Sequence, residues 1–123
     1  MIRALLLTTF LLASSSYAGE LLFVGEGLQS RIYIDPATIQ KVGDKRLVET
    51  YTNYAKRDEN GMMSTVSLSE YDCNTKLRRI VEVSGYSQST GYGRRIATET
   101  STPWVKTPKG SPAEYILEML CDK

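Results

Sequence analysis

The 123-residue chain contains no histidine, and that one absence removes Ser-His triads, Cys-His pairs and the commonest metal ligand together. Cysteine is nearly as scarce. Its two copies, Cys73 and Cys121, lack the close spacing of a CxxC redox motif. No apolar run approaches the ~20 residues a helix needs to cross a bilayer; the longest, Ala4 to Ala13, also contains Thr8 and Thr9. An excess of either charge is missing as well. The chain carries 15 Lys plus Arg against 14 Asp plus Glu, and Arg3 alone accounts for the difference. Nucleic acid is therefore excluded as a partner, because its binding is dominated by neutralisation of phosphates.

The N-terminus reads as a cleavable signal peptide over residues 1–18. Arg3 supplies the positive start, Ala4 to Ala13 the apolar stretch, and Ser16 and Ala18 the small side chains a signal peptidase must fit. The expected cut lies between Ala18 and Gly19. No cysteine stands at the cut, so a lipid-attached form is not expected, and no membrane insertion is expected after cleavage. Residues 19–123 then form one domain, since 105 residues support a single modest core. Export delivers both cysteines to an oxidising compartment, where a matched pair is normally bridged. A Cys73–Cys121 link across 48 positions would constrain the unfolded chain by about 4 kcal/mol.

Turn residues punctuate the mature chain. Leu21 to Val24 and Arg31 to Ile34 read as strands separated by Gly25 and Gly27. Asp35-Pro36 offers an N-cap followed by proline at the first helical position, and with Gly43 as a stop it predicts a helical turn over 36–41. Lys45 to Ala55, Met62 to Cys73 and Leu77 to Val83 are rich in β-branched and aromatic residues or alternate in polarity, and Asn60-Gly61 and Asn74-Thr75 supply tight reversals between them. Three strands joined this way make an antiparallel meander. Ser84 to Gly93 reads as loop, Arg94 to Thr100 as a further strand, and Thr102 to Gly110 as irregular.

The C-terminal segment carries the strongest helical pattern. Ser111-Pro112-Ala113-Glu114 is a capping box with proline at its first helical position. Ala113, Ile116, Leu117, Leu120 and Cys121 then fall on one face. The fold class expected is α+β: an antiparallel β-sheet meander packed against a C-terminal α-helix, with one disulfide. The polar face carries Glu114, Glu118 and Asp122, which anionic lipid would repel, so core packing is favoured over a membrane surface.

Chemistry-bearing constellations are few. Glu70 and Asp72 share a strand face, but pairing with Arg78 or Arg79 across the turn explains them better than acid-base catalysis. No catalytic residue, metal site or cofactor is expected. Gly91-Tyr92-Gly93-Arg94-Arg95 suggests anion binding only weakly, because its spacing matches no phosphate-binding fingerprint. Loop-placed Tyr86, Tyr92 and Trp104, with Arg94 and Arg95, form the candidate binding surface.

Taken together, Tyr33-Ile34-Asp35-Pro36-Ala37-Thr38-Ile39, Glu70-Tyr71-Asp72-Cys73, Tyr86-Ser87 with Gly91-x-Gly93, Pro103-Trp104 and a terminal helix ending Leu120-Cys121 resemble the surface-adhesin protein E family. The likeness runs over roughly residues 20–122. It implies a small bacterial domain of antiparallel sheet on a C-terminal helix, with the two cysteines bridged. The founding adhesin is a surface lipoprotein that attaches to host matrix proteins. By that resemblance the expected activity is non-enzymatic protein or ligand binding, with a host matrix or envelope protein as partner. The alternative is a periplasmic structural or assembly factor with no adhesive role. The periplasm is the expected location in the absence of a lipid-attachment cysteine, with the cell surface or secretion as alternatives. A shared sheet edge would make the protein a homodimer.

Overall fold

The computed structural model describes residues 20–122, so the expected signal segment 1–18 lies outside the described residues. Seven strands precede one helix: β1 (Leu22–Gly27), β2 (Ser30–Val42), β3 (Lys45–Tyr54), β4 (Ser64–Asp72), β5 (Leu77–Tyr86), β6 (Arg95–Thr100), β7 (Val105–Lys106) and α1 (Pro112–Cys121), with a 3₁₀ turn at Ser89–Gly91. The six longer strands form one antiparallel sheet in chain order, and β7 pairs with the start of β5. This is the expected meander with its C-terminal helix.

Period-two alternation assigns the two faces of that sheet. Along β3, Arg46, Val48 and Thr50 are buried while Lys45, Leu47 and Glu49 between them are partly exposed. The buried set faces α1. Ile116, Leu117 and Leu120 of the helix pack with Val24, Ile34, Val48 and Tyr71 of the sheet in one core. Each aliphatic side chain there contributes about 1.5–3 kcal/mol by leaving water.

Both ends of α1 are secured by local chemistry. The Ser111 hydroxyl accepts the Glu114 N–H at 3.2 Å, and Glu114 reaches back to the Gly110 N–H at 3.1 Å. The capping box thus closes one residue earlier than its standard reciprocal bond. Beneath the first turn, Gly25 leaves room for Pro112, whose Cγ would stand 3.0 Å from a side-chain carbon at that position. At the other end Cys121 is bridged to Cys73 with a Cα–Cα distance of 5.5 Å. Arg46, only 8 % exposed, donates from Nε to the Leu120 carbonyl at 3.2 Å and from Nη1 to the Gly43 and Lys45 carbonyls. A buried guanidinium is tolerable here because carbonyl oxygens, including one from the negative end of the helix, receive its protons.

Three local expectations are corrected. No helical turn forms over 36–41; β2 runs through that segment. The Asp35 carboxylate does accept the Ala37 N–H. However, Thr38 Oγ1 donates to the Asp35 carbonyl and accepts the Glu49 N–H of β3, which binds the segment across the sheet. One helical turn cannot compete with ladder bonds on either side, because nucleation is unfavourable. The result is a wide bulge between Asp35 and Gln40. Secondly, β1 does not end at Val24 but continues through Gly25 to Gly27, with its bulge beside Val24. Thirdly, Ser84 to Tyr86, read as loop, complete β5, with Ser84 and Gly85 paired to Thr98 and Ala97.

Candidate functional site

The face of the sheet turned away from α1 is the principal surface the fold leaves open. Strand pairing arranges its side chains in rows that cross the strands. One row runs Phe23, Tyr33, Tyr51, Val66 and Ser84. Beside it runs a mostly acidic row of Asp35, Glu49, Leu68 and Glu82. On the other side lies a row of Arg31, Asn53, Ser64, Tyr86 and Arg95, basic at both ends. An aromatic stripe is thus flanked by one acidic and one basic-ended stripe.

Several of these side chains are held in place. The Phe23 and Tyr33 rings meet edge to face at 5.5 Å, and the Arg31 guanidinium lies 4.9 Å from the Phe23 ring centre. Such contacts fix ring orientation as well as adding energy. The Tyr51 hydroxyl donates to Glu49 Oε2 at 3.1 Å. Burial first, then the neighbouring Glu49 charge, push the Tyr51 phenol up to about 12. It is therefore a neutral donor throughout the physiological range. Phe23 remains 43 % exposed, enough to offer an aromatic surface to a partner.

The glycine-rich segment before β6 folds over one end of this face. Asn53 bonds Thr90 twice, accepting its N–H at 2.7 Å and donating to its hydroxyl at 3.0 Å. The Ser64 hydroxyl donates to the Gln88 carbonyl and accepts the Gly91 N–H. Gly91 sits at φ +74, and a side-chain carbon there would stand 2.8 Å from Val66 Cγ2. Its glycine is explained by close approach to the sheet and a left-handed backbone. The segment that resembled an anion loop is thus a clamp on the aromatic row.

The five residues of the sequence-derived binding surface do not share one place. Tyr86 and Arg95 line a shallow cleft of about 250 Å³ on the open face, together with Glu49, Leu68 and Glu82. Tyr92 and Arg94 project from the adjoining segment, Tyr92 at 66 % exposure. Trp104 lies toward the opposite end, along a strand that spans roughly 26 Å between Ser64 and Asp72 at its usual rise. It packs on Arg79 at 4.9 Å and Lys45 at 5.8 Å.

Those two cations are the partners of the adjacent carboxylates. Arg79 Nε meets Glu70 Oε1 at 2.7 Å and Lys45 Nζ meets Asp72 Oδ2 at 3.8 Å. Asp72 also accepts the Asn74 and Thr75 N–H groups. The Thr75 bond foremost, with Asn74 and Lys45 adding, holds its carboxyl below the usual range. This arrangement binds a turn, with each carboxylate held by a neighbouring cation. Among the described residues no cluster of three or more Cys, Asp or Glu is placed to hold a metal ion, and no helix is long and apolar enough to cross a membrane.

Sequence reasoning missed Phe23, Tyr33 and Tyr51 as members of one surface. Their alternation was visible in each strand, but only the register aligns them across strands.

The fold has a solved counterpart. The structure is similar to crystal form II of Haemophilus influenzae protein E, with a TM-score of 0.69 and 13 % sequence identity over 83 % of this chain and 87 % of that one. At that identity the likeness concerns the fold. No curated protein matches the chain. The family model described as surface-adhesin protein E matches residues 22–122, a span that includes every strand, the helix and both cysteines. The chain belongs to the surface-adhesin protein E family.

Proposed function

We propose that this is a non-enzymatic, exported bacterial envelope protein that acts by protein contact through the open face of its sheet, in the manner of an adhesin. The observation that carries the reading is the aromatic row Phe23, Tyr33, Tyr51 and Val66 between its charged neighbours. Aromatic residues are enriched at protein interfaces, where a few anchors supply most of the binding energy. The acidic row of Asp35, Glu49 and Glu82 favours a partner that presents basic groups beside apolar ones. Family membership supports a host protein as that partner. The signal segment 1–18, with a mature domain over 19–123, supports export.

The test is binding of the disulfide-bonded protein to immobilised basement-membrane matrix. Phe23→Ser and Tyr33→Ser are each expected to weaken binding by about tenfold or more while leaving the fold intact. Binding unchanged in both variants, or absent in the parent protein, would remove the adhesive reading. Surface labelling of intact cells provides the second arm. A second reading, an untethered periplasmic assembly factor, is favoured by the absence of cysteine around the expected cut at Ala18. Recovery exclusively from the periplasm, in complex with an envelope protein, would support it.

A further inference from the structure

The helix covers only part of the inner face. Beyond it, Thr50 and Thr52 of β3 stand opposite Ser67 and Thr65 of β4, with Ser69 one step along. These hydroxyls floor a cleft of about 370 Å³ beside the first turn of α1. Its size falls at the small end of the range of roughly 300–1,000 Å³ typical of small-molecule sites.

Two features separate this cleft from an ordinary sheet surface. Its hydroxyls are buried and held only by long contacts. Thr50, Ser67 and Ser69 are 8 %, 8 % and 2 % exposed, and their mutual contacts lie at 3.3 to 3.5 Å, beyond the usual ~2.5–3.0 Å of an O–H···O bond. Contacts of that length leave each hydroxyl capacity for a further partner. Secondly, no carboxylate lines the cleft, and its one charged side chain is Arg78. The Arg78 Nε is buried with no hydrogen-bond partner among the described residues, and Arg78 has no ion pair there either. Its neighbour Tyr71 is a phenol that burial, against the opposing pull of Arg78, pushes up to about 12; it stays neutral and supplies no counter-charge.

A simple inorganic anion would use the guanidinium and leave the hydroxyl floor idle. A neutral sugar would use the floor and leave the charge unmet. We propose that the cleft binds an acidic sugar, with its carboxylate on the Arg78 guanidinium and its ring hydroxyls on the Ser67, Ser69 and Thr50 floor. Ile80, Val83 and Pro112 provide apolar contact for the C–H surface of the ring. A guanidinium matches a carboxylate through paired N–H donors. The cleft lies on the opposite side of the sheet from the aromatic row, so the inference is independent of the protein-contact reading.

The experiment follows backbone amide shifts of the disulfide-bonded protein during titration with glucuronate, glucose and acetate. Glucuronate is expected to produce saturable shifts at Thr50–Thr52, Thr65–Ser69 and Arg78–Ile80, with millimolar affinity. Glucose and acetate should each bind about tenfold more weakly or less, because each satisfies one half of the site. Arg78→Gln should lose about tenfold for glucuronate and little for glucose; Thr65→Val, a gentler change at the floor, should weaken both sugars. A uronate-containing tetrasaccharide distinguishes the source: tighter binding than the monosaccharide indicates a polymeric glycan, and equal binding indicates a free acidic sugar. The proposal is overturned by absence of saturable shifts up to about 50 mM glucuronate. Equal response to acetate, an unaffected and folded Arg78→Gln variant, or shifts confined to the open face would overturn it equally.

Discussion

The two faces of the sheet are built from the same strands and solve opposite problems. Under α1 the inner face is held shut. Val24, Ile34, Val48 and Tyr71 meet the apolar stripe of α1, a capping box starts the helix, and the Cys73–Cys121 bridge with Arg46 finishes it. The outer face is kept open and patterned. Aromatic, acidic and basic-ended rows lie side by side, fastened at one end by the Gly91 clamp and at the other by Trp104 over two ion pairs. Stability is thus concentrated on one side of a single layer and presentation on the other. Substitutions under α1 and on the outer face should therefore separate in kind: those under the helix change stability, those on the outer face change recognition.

The strongest challenge to that division is removal of the staple. Replacing both cysteines with serine is expected to lower unfolding stability by about 4 kcal/mol, read as a shift in the urea midpoint at neutral pH. A loss under ~1 kcal/mol would mean that packing alone seats the helix. Next, Ile116→Ala, at a position 2 % exposed, should cost about 3 kcal/mol through lost burial and a residual cavity. Leu68→Ala, partly exposed on the outer face, should cost about 1 kcal/mol. Similar values for the two would erase the distinction between the faces.

Gly91→Ala tests the clamp. A methyl group at a left-handed backbone position and within 2.8 Å of Val66 should destabilise by roughly 1–2 kcal/mol. Amide exchange should accelerate at Thr90 and Gly91 while the core strands stay protected. Phe23→Ser should alter stability least, by about 0.5 kcal/mol or less, and its readout is partner binding.

A final comparison uses pH, with no effect expected near neutrality. Tyr71 on the inner face and Tyr51 on the outer are both pushed up to about 12 from the ordinary 10.0, each chiefly by burial. The unfolded chain therefore loses these phenolic protons first. Stability from both groups is fully present below pH 10 and falls as pH rises from 10 toward 12. Tyr71→Phe and Tyr51→Phe should each flatten part of that decline in alkaline denaturation curves. An unchanged slope in both would refute the shared burial.

Legibility from sequence followed the range of the interactions. The meander was readable because turn residues and period-two alternation act over a few positions; the helix was readable because its cap and stripe are local. The segment 36–41 failed for the complementary reason. Asp35-Pro36 carries a genuine local helix signal, and Thr38 overrides it by accepting a bond from Glu49 on the next strand. The candidate surface divided similarly. Tyr86 and Arg95 came together on the open face, whereas Trp104 was drawn to Lys45 and Arg79 toward the far end.

Sequence alone determined the strand count in the central meander, the capped amphipathic helix and the one possible cysteine pairing, since each rests on neighbours or on simple counting. Tertiary structure decided which residues form rows across strands, which hydroxyls share a cleft with Arg78, and what the glycine segment presses against. Those depend on register and on the placement of α1. Both are settled by contacts between residues distant in the chain, for which no local pattern carries the information.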